Sequence, residues 1–164
     1  MEQNKKLELS KIRIVDYLPK HRSAFKELNE EWISRHFKME ESDRIALDTP
    51  EEYILDPGGA IVVAVMNRVV VGVCALQKMQ DGKYDYELAK MAVSPQTRGL
   101  GIGELLGKAT IEKAQSLGAS CLYLESNTVL TPAISLYKKL GFKEVSGVDS
   151  PYERCNIQME LKLD

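Results

Sequence analysis

Tyr86-Glu-Leu-Ala-Lys-Met-Ala-Val-Ser-Pro95, followed by Gln96-Thr-Arg-Gly-Leu-Gly-Ile-Gly103, is the stretch whose reading decides the fold. Its first part has the make-up of a strand and is closed by Pro95, which has no N–H to give to a sheet ladder. The chain then enters Glu104-Leu105-Leu106, where Ile102, Leu105, Leu106 and Ala109 fall on one helical face, continued with some drift by Ala114 and Leu117. Between strand and helix stand Gly99, Gly101 and Gly103, directly after Arg98. Glycines let the backbone turn tightly, approach a ligand closely and leave its N–H groups uncovered. A helix N-terminus adds unpaired donors and a partial positive charge. Arg98 adds a full charge and a planar donor fork. Together they read as a cradle for a pyrophosphate.

Three cradles compete for that reading. A Walker A loop needs two glycines separated by four residues, then Lys and Ser or Thr. Gly103 and Gly107 are too close, and Ala109 follows Lys108, so that loop is absent. A dinucleotide fingerprint needs Gly-x-Gly-x-x-Gly in a tight strand-to-helix turn, with an acid further on. Here the spacing is Gly-x-Gly-x-Gly, and Ser94 to Arg98 separate strand from glycines, although Glu125 ends the next apolar run. The third pattern is Arg-x-x-Gly-x-Gly, met by Arg98, Gly101 and Gly103. A plain glycine-rich turn remains the bland alternative.

Composition sets the outer bounds. A chain of 164 residues is large enough for a proper core in one domain. Hydrophobic residues make up 44% and charged residues 28%, ordinary for a globular protein, and the net charge of −2 includes no basic block of a nucleic-acid binder. No apolar run has the length of a membrane span, and Met-Glu-Gln-Asn-Lys-Lys begins no signal core. Cys74, Cys121 and Cys155 are odd in number and widely spaced, which suggests reduced thiols in a cytoplasm. His21 and His36 have no companion metal ligand in sequence, so no metal site is expected.

Working outward, Leu7 to Asp16 reads as a short first strand, and Phe25, Leu28, Trp32 and Ile33 mark a helix after Pro19. Phe37 to Asp48 is a short second helix or a loop. Thr49-Pro50-Glu51-Glu52 has the form of a capped helix start, stopped by Asp56-Pro57-Gly58-Gly59. Ala60–Met66 and Val69–Leu76 are β-rich runs joined by Asn67-Arg68, and Gln80-Asp81-Gly82-Lys83 turns into the strand that ends at Pro95. The cradle helix stops at Gly118, and Cys121 to Glu125 completes a strand–helix–strand unit. Thr131-Pro132 opens another helix, ended by Gly141, before strands over Phe142–Val148 and Cys155–Leu163. The expected architecture is α/β: a central mixed sheet of about seven strands with about four helices on its faces.

Pro132-Ala-Ile-Ser-Leu-Tyr137-Lys-Lys-Leu-Gly-Phe142 is the second informative block. With Met91-Ala92-Val93, Pro95 and the Arg98 loop before it, the chain resembles the GNAT superfamily of acyl-CoA-dependent N-acyltransferases. The resemblance is strong from Glu87 to Phe142 and weak before Ala60, where such proteins build their substrate pockets. It implies one N-acetyltransferase domain over residues 1–164, with substrate-side elements at about 17–59 and an acetyl-CoA-binding core at about 84–142. It also implies transfer of acetyl from acetyl-CoA to a primary amine, by direct attack in a ternary complex, with CoA as product. The acceptor class stays open between small-molecule and protein amines. No nucleic-acid or membrane partner is expected, and a homodimer that covers a terminal sheet edge is one possible assembly. A non-catalytic acyl-CoA-binding sensor of the same fold is the rival.

The resemblance assigns roles to particular residues. Arg98, Gly99, Leu100, Gly101, Ile102 and Gly103 would hold the CoA pyrophosphate through backbone N–H groups. Met91, Ala92 and Val93 would line the pantetheine, and a bulge in that strand would offer a backbone N–H to the thioester carbonyl. Tyr137 is the candidate general acid toward the departing thiolate, against the alternative of a tyrosine that only packs. Glu87 is the candidate base, against that of an exposed strand glutamate. Strand alternation without a bulge puts Glu87 with Ala89, Met91 and Val93. Asn127, displaced by three residues from the family's position, is read as a cofactor contact or a turn former. Trp32 and Phe37 are expected at the acceptor site, with Glu40 nearby, while Arg154 is left between binding an acidic acceptor and lying in a solvated loop.

Overall fold

The β-branched run from Ala60 to Leu76 forms the centre of the molecule. In the computed structural model, which describes residues 2–164 apart from the side chains of Lys5 and Leu7, two hairpin strands lie there: β2 (Ala60–Met66) and β3 (Val69–Lys78). Asn67 and Arg68 join them with φ of 51° and 65°, the pair of left-handed residues that a type I′ hairpin turn requires. β1 (Ile12–Asp16) pairs with β2, and β4 (Tyr86–Val93) pairs with β3, both antiparallel. β5 (Cys121–Ser126) lies parallel to β4, and β7 (Ile157–Lys162) inserts between β5 and β6 (Lys143–Val145). The sheet therefore has seven strands in the order β1-β2-β3-β4-β5-β7-β6.

Helices cover both faces. α2 (Arg22–His36) and α3 (Glu41–Asp48) lie on one, where Phe25, Ile33, Ala46 and Leu47 bury against Ile61, Val63, Val73, Ala75 and Ala92. α4 (Ile102–Ser116) and α5 (Thr131–Lys139) cover the other: Ala114 is buried with Leu76, Leu88, Leu122 and Leu124, and Tyr137 packs against that cluster. Full burial of such side chains contributes roughly 1.5–3 kcal/mol each, which is what holds two helical layers on one sheet.

Three local expectations need correction. Residues Glu2–Leu9 form a helix, α1, and the strand begins only at Ile12. Straight-chain Glu, Gln, Lys and Leu favour helix, whereas the β-branched residues that favour a strand begin at Ile12. The described residues accordingly hold five α-helices with the seven-stranded sheet, in keeping with the expected α/β architecture. Thr49 does not open a new α-helix: its hydroxyl donates back to the Ile45 carbonyl and closes α3, and a single π-helical turn over Glu51–Leu55 follows. Finally, β6 and β7 are shorter than the apolar runs that suggested them.

Candidate active site

The sheet opens at one place. β4 and β5 are parallel neighbours only at Tyr86–Leu122 and Glu87–Tyr123; beyond that point β5 continues along β7 and leaves the β4 edge without a ladder partner. A parallel pair tied at one end and free at the other makes a wedge between the two halves of the sheet. Glu87, Lys90, Met91, Glu125 and Tyr137 all line the cleft in that wedge.

β4 itself carries a bulge. Ala75 pairs with Ala89 and Val73 with Ala92, so Cys74 alone stands opposite Lys90 and Met91. Lys90 sits at φ 54°, a left-handed conformation that costs a non-glycine residue about 1–2 kcal/mol. The bulge overturns the simple alternation. Met91 and Val93 pack with Ile102 on the α4 face, while Ala92 joins the α2 face that Glu87 shares.

What offsets the strained backbone is the Lys90 side chain. Its ammonium donates to Asp43 Oδ1 at 2.9 Å and to the Tyr152 hydroxyl at 2.9 Å, and it lies 4.7 Å from the Tyr152 ring centre. Arg154 grips the same aspartate with two nitrogens, at 2.7 and 2.6 Å, and reaches Glu40 at 3.2 Å. Its guanidinium lies 4.5 Å from the Tyr152 ring centre, so both cations rest against one tyrosine. Asp43 is fully buried. Burial pushes its carboxyl up, but Arg154, Lys90 and the Glu40 N–H outweigh that and hold it at about 2. Burial draws the Lys90 ammonium down, and Asp43 opposes the shift. Arg154 is thus a structural member of a buried ion network, not a solvated loop residue.

Glu87 has the opposite environment. Its carboxylate takes no hydrogen bond among the described residues, and burial together with the neighbouring Glu125 charge pushes it up to about 8, against the pull of Lys90. Glu125 accepts from the Tyr123 hydroxyl at 2.6 Å and from Ser150 at 2.9 Å. Two carboxylates therefore face one cleft, one supported by donors and one without them. Tyr137, from α5, packs edge-on to Phe142 with ring centres 6.2 Å apart. Its hydroxyl has no partner among the described residues and is not among their enclosed unsatisfied atoms, so it opens to the cleft. Burial, then the nearby Cys74, pushes its phenol up, which keeps it protonated across the working range.

At the end of the wedge lies the glycine loop. Gly99 and Gly101 have φ of 84° and 89°, and Gly101 caps α4 in the left-handed conformation. A Cβ at Gly99 would meet no atom within 4 Å, so the outer side of the loop is open. Ile102 is buried and Leu100 packs beside it, so apart from Arg98 the outward side of this loop is backbone. Arg98 is exposed and pairs at 3.4 Å with Glu31, which also holds Arg35.

Of the remaining expected residues, Trp32 and Phe37 line the cleft, with ring centres 6.4 Å apart. Asn127 lines it too, but both ends of its amide serve the chain: Nδ2 donates to the Arg154 carbonyl at 2.7 Å, and Oδ1 accepts from the Val129 N–H at 2.9 Å. The sequence reading missed Lys90, Asp43 and Tyr152. An acid in an amphipathic helix and a lysine in a strand carry no local mark of their meeting. No group of His, Cys, Asp or Glu that could hold a metal occurs among the described residues, and no helix there is long and apolar enough to cross a membrane.

Known proteins share this fold. Residues 22–142, well over half of the chain, match the family described as "Acetyltransferase (GNAT) family". N-acetylaspartate synthetase of Danio rerio is 34% identical over 119 residues, covering 66% of this chain and 42% of that protein, so the chain spans less than half of that relative's length. A GNAT-family acetyltransferase structure from Staphylococcus aureus superposes with a TM-score of 0.82 at 23% identity, over 93% of this chain and 99% of the other. A Salmonella typhimurium structure containing its cofactor acetyl-CoA superposes with a TM-score of 0.72 at 21% identity, over 94% and 95% of the two chains. The chain belongs to the GNAT acetyltransferases, a family of acetyl-CoA-dependent acyltransferases.

Proposed function

We propose that the chain transfers an acetyl group from acetyl-CoA to a primary amine by direct attack within a ternary complex. The observation that carries this reading is the content of one cleft: a carboxyl poised near neutrality, Glu87, and an unpartnered phenol, Tyr137, beside the free edge of β4. Residues 17–59 form the acceptor side in this reading and residues 84–142 the acetyl-CoA side.

The chain's own groups fit such a ligand. The open, positive-φ loop and the first turn of α4 offer N–H groups to a pyrophosphate, and Arg98 adds its charge once released from Glu31. The unpaired β4 edge at Met91, Ala92 and Val93 is suited to hold an extended amide chain as an added strand, with Asn127 on the wall. Acetyl-CoA supplies the acetyl group as a thioester, whose C–S bond breaks as the acceptor nitrogen forms the new C–N bond. Glu87 Oε would take one proton from the incoming ammonium, so that the neutral amine attacks. Tyr137 Oη would give its proton to the departing thiolate sulfur and be restored by the second N–H proton, which leaves the nitrogen as the amide forms. Trp32 and Phe37 wall the acceptor side and exclude water.

The rival reading is a non-catalytic acyl-CoA-binding sensor, which needs neither the raised carboxyl nor the free phenol. Tyr137→Phe separates the two. Turnover is expected to fall by about 10²–10⁴ while the acetyl-CoA Kd measured by calorimetry stays the same. Unchanged turnover removes Tyr137 from the chemistry, and an enzyme preparation with no turnover on any amine supports the sensor.

A further inference from the structure

We propose that the acceptor is a primary amine that brings no carboxylate into the cleft, received between Glu87 and Glu125 with its apolar body against Trp32 and Phe37. This inference rests on the acetyltransferase reading and concerns the substrate class of that same site.

The charges on the page decide it. Four charged side chains line the cleft among the described residues: Glu87, Lys90, Glu125 and Arg154. Both cations are already matched. Lys90, with its side chain 5% exposed, is held by the fully buried Asp43. Arg154, 18% exposed, is held by Asp43 and by Glu40. The Tyr152 ring, which lies against both cations, further fixes their directions. Two positive charges against two negative ones leave no net attraction for an acceptor carboxylate. To seat one on Arg154, its two-nitrogen grip on the fully buried Asp43 would have to loosen, leaving that aspartate short of a partner.

Glu125 and Glu87 lack any such cationic partner of their own. Glu125 is held by two neutral hydroxyls, so its charge is the one in the cleft that no cation matches; Glu87, raised to about 8 and without a donor, stands largely protonated beside it at neutral pH. An ammonium matches that charge, whereas an amino acid brings a carboxylate that adds to it. The rest of the lining near this end is apolar or aromatic: Trp32, Ile33, Phe37 and the face of Tyr152. Such a lining takes up hydrocarbon and offers no cation for an anionic group.

The test compares 2-phenylethylamine with L-phenylalanine, which share a body and have amines of similar basicity, and adds L-aspartate as a second acid. Initial rates of CoA thiol release are measured at saturating acetyl-CoA, and acetyl-CoA binding is measured separately by calorimetry. The expected result is a kcat/KM for phenylethylamine more than about 10-fold above that of either acid. In Glu125→Gln, the preference over phenylalanine should shrink by about 10-fold, because the repelling charge is gone. Equal or faster acetylation of either acid, or binding of acetyl-CoA without turnover of phenylethylamine, overturns the proposal and leaves the fold's acyl-CoA site intact. Failure of well-folded protein to bind acetyl-CoA is a different result: it removes the acetyltransferase reading and this inference with it.

Discussion

The two walls of the cleft are built in different ways. The wall proposed for acetyl-CoA comes from one continuous piece of chain, in which β4, the glycine loop and α4 follow each other over Tyr86–Ser116, and it presents mainly backbone. The wall proposed for the acceptor is assembled from side chains far apart in sequence: Asp43 and Arg154 are 111 residues apart, and Lys90 reaches Asp43 across 47. Backbone sites depend on φ and ψ and tolerate varied side chains. Side-chain networks depend on every member being present. The two walls should therefore fail differently.

The largest expected effect falls on the assembled wall. Asp43→Ala leaves Lys90 and Arg154 buried with no shared anion, and urea unfolding should lose about 3–5 kcal/mol, since removal of one partner strands the others. The native aspartate also predicts acid sensitivity. Its folded pKa, about 2, lies below the ordinary 3.8, so its contribution is full above that ordinary value and is lost as pH falls through about 2. The variant should show a flatter acid limb. An unfolding free energy within about 1 kcal/mol of the parent would mean that the network is decoration.

A smaller effect is expected on the continuous wall. Gly101→Val forces a β-branched residue to φ 89°, at a cost of about 1–2 kcal/mol, although its Cβ would meet only Leu9 Cδ1, at 3.6 Å. Acetyl-CoA should bind roughly 10-fold more weakly, with unfolding changed far less than in Asp43→Ala. Gly101→Asn should recover part of the loss, because asparagine visits the left-handed region more readily. Equal losses with Val and Asn would place the effect in side-chain bulk, not in backbone conformation.

The same contrast explains what could be read from the residues. The strand–loop–helix unit, the Asn67-Arg68 hairpin and the α5 helix with Tyr137 are local patterns, and each lies where its sequence put it. Glu87 and Trp32 reach the cleft from β4 and α2, and Phe37 from the extended residue that ends α2; the family resemblance, not periodicity, singled them out. The bulge at Lys90 was not legible, because a lysine at positive φ has no sequence mark and is held by a partner 47 residues away. Arg154 was legible only as a charge near a strand; its burial depends on α3, read as helix or loop, and on Tyr152. The α1 helix was misread because Leu7, Leu9 and Ile12 can belong to either structure until the β-branched residues break the tie.

The central claim is that Glu87 is the base, its carboxyl raised first by burial and then by the neighbouring Glu125 charge. The pH dependence of kcat/KM for an amine acceptor tests it most directly. With Glu87 raised to about 8, the parent enzyme should gain activity as pH rises through about 8, because the base form appears only then. Glu87→Gln should abolish that limb, and Glu125→Gln should move it to lower pH by removing the charge that helps to hold Glu87 up. A limb that stays at the same pH in both variants would contradict the account and assign the proton to another group.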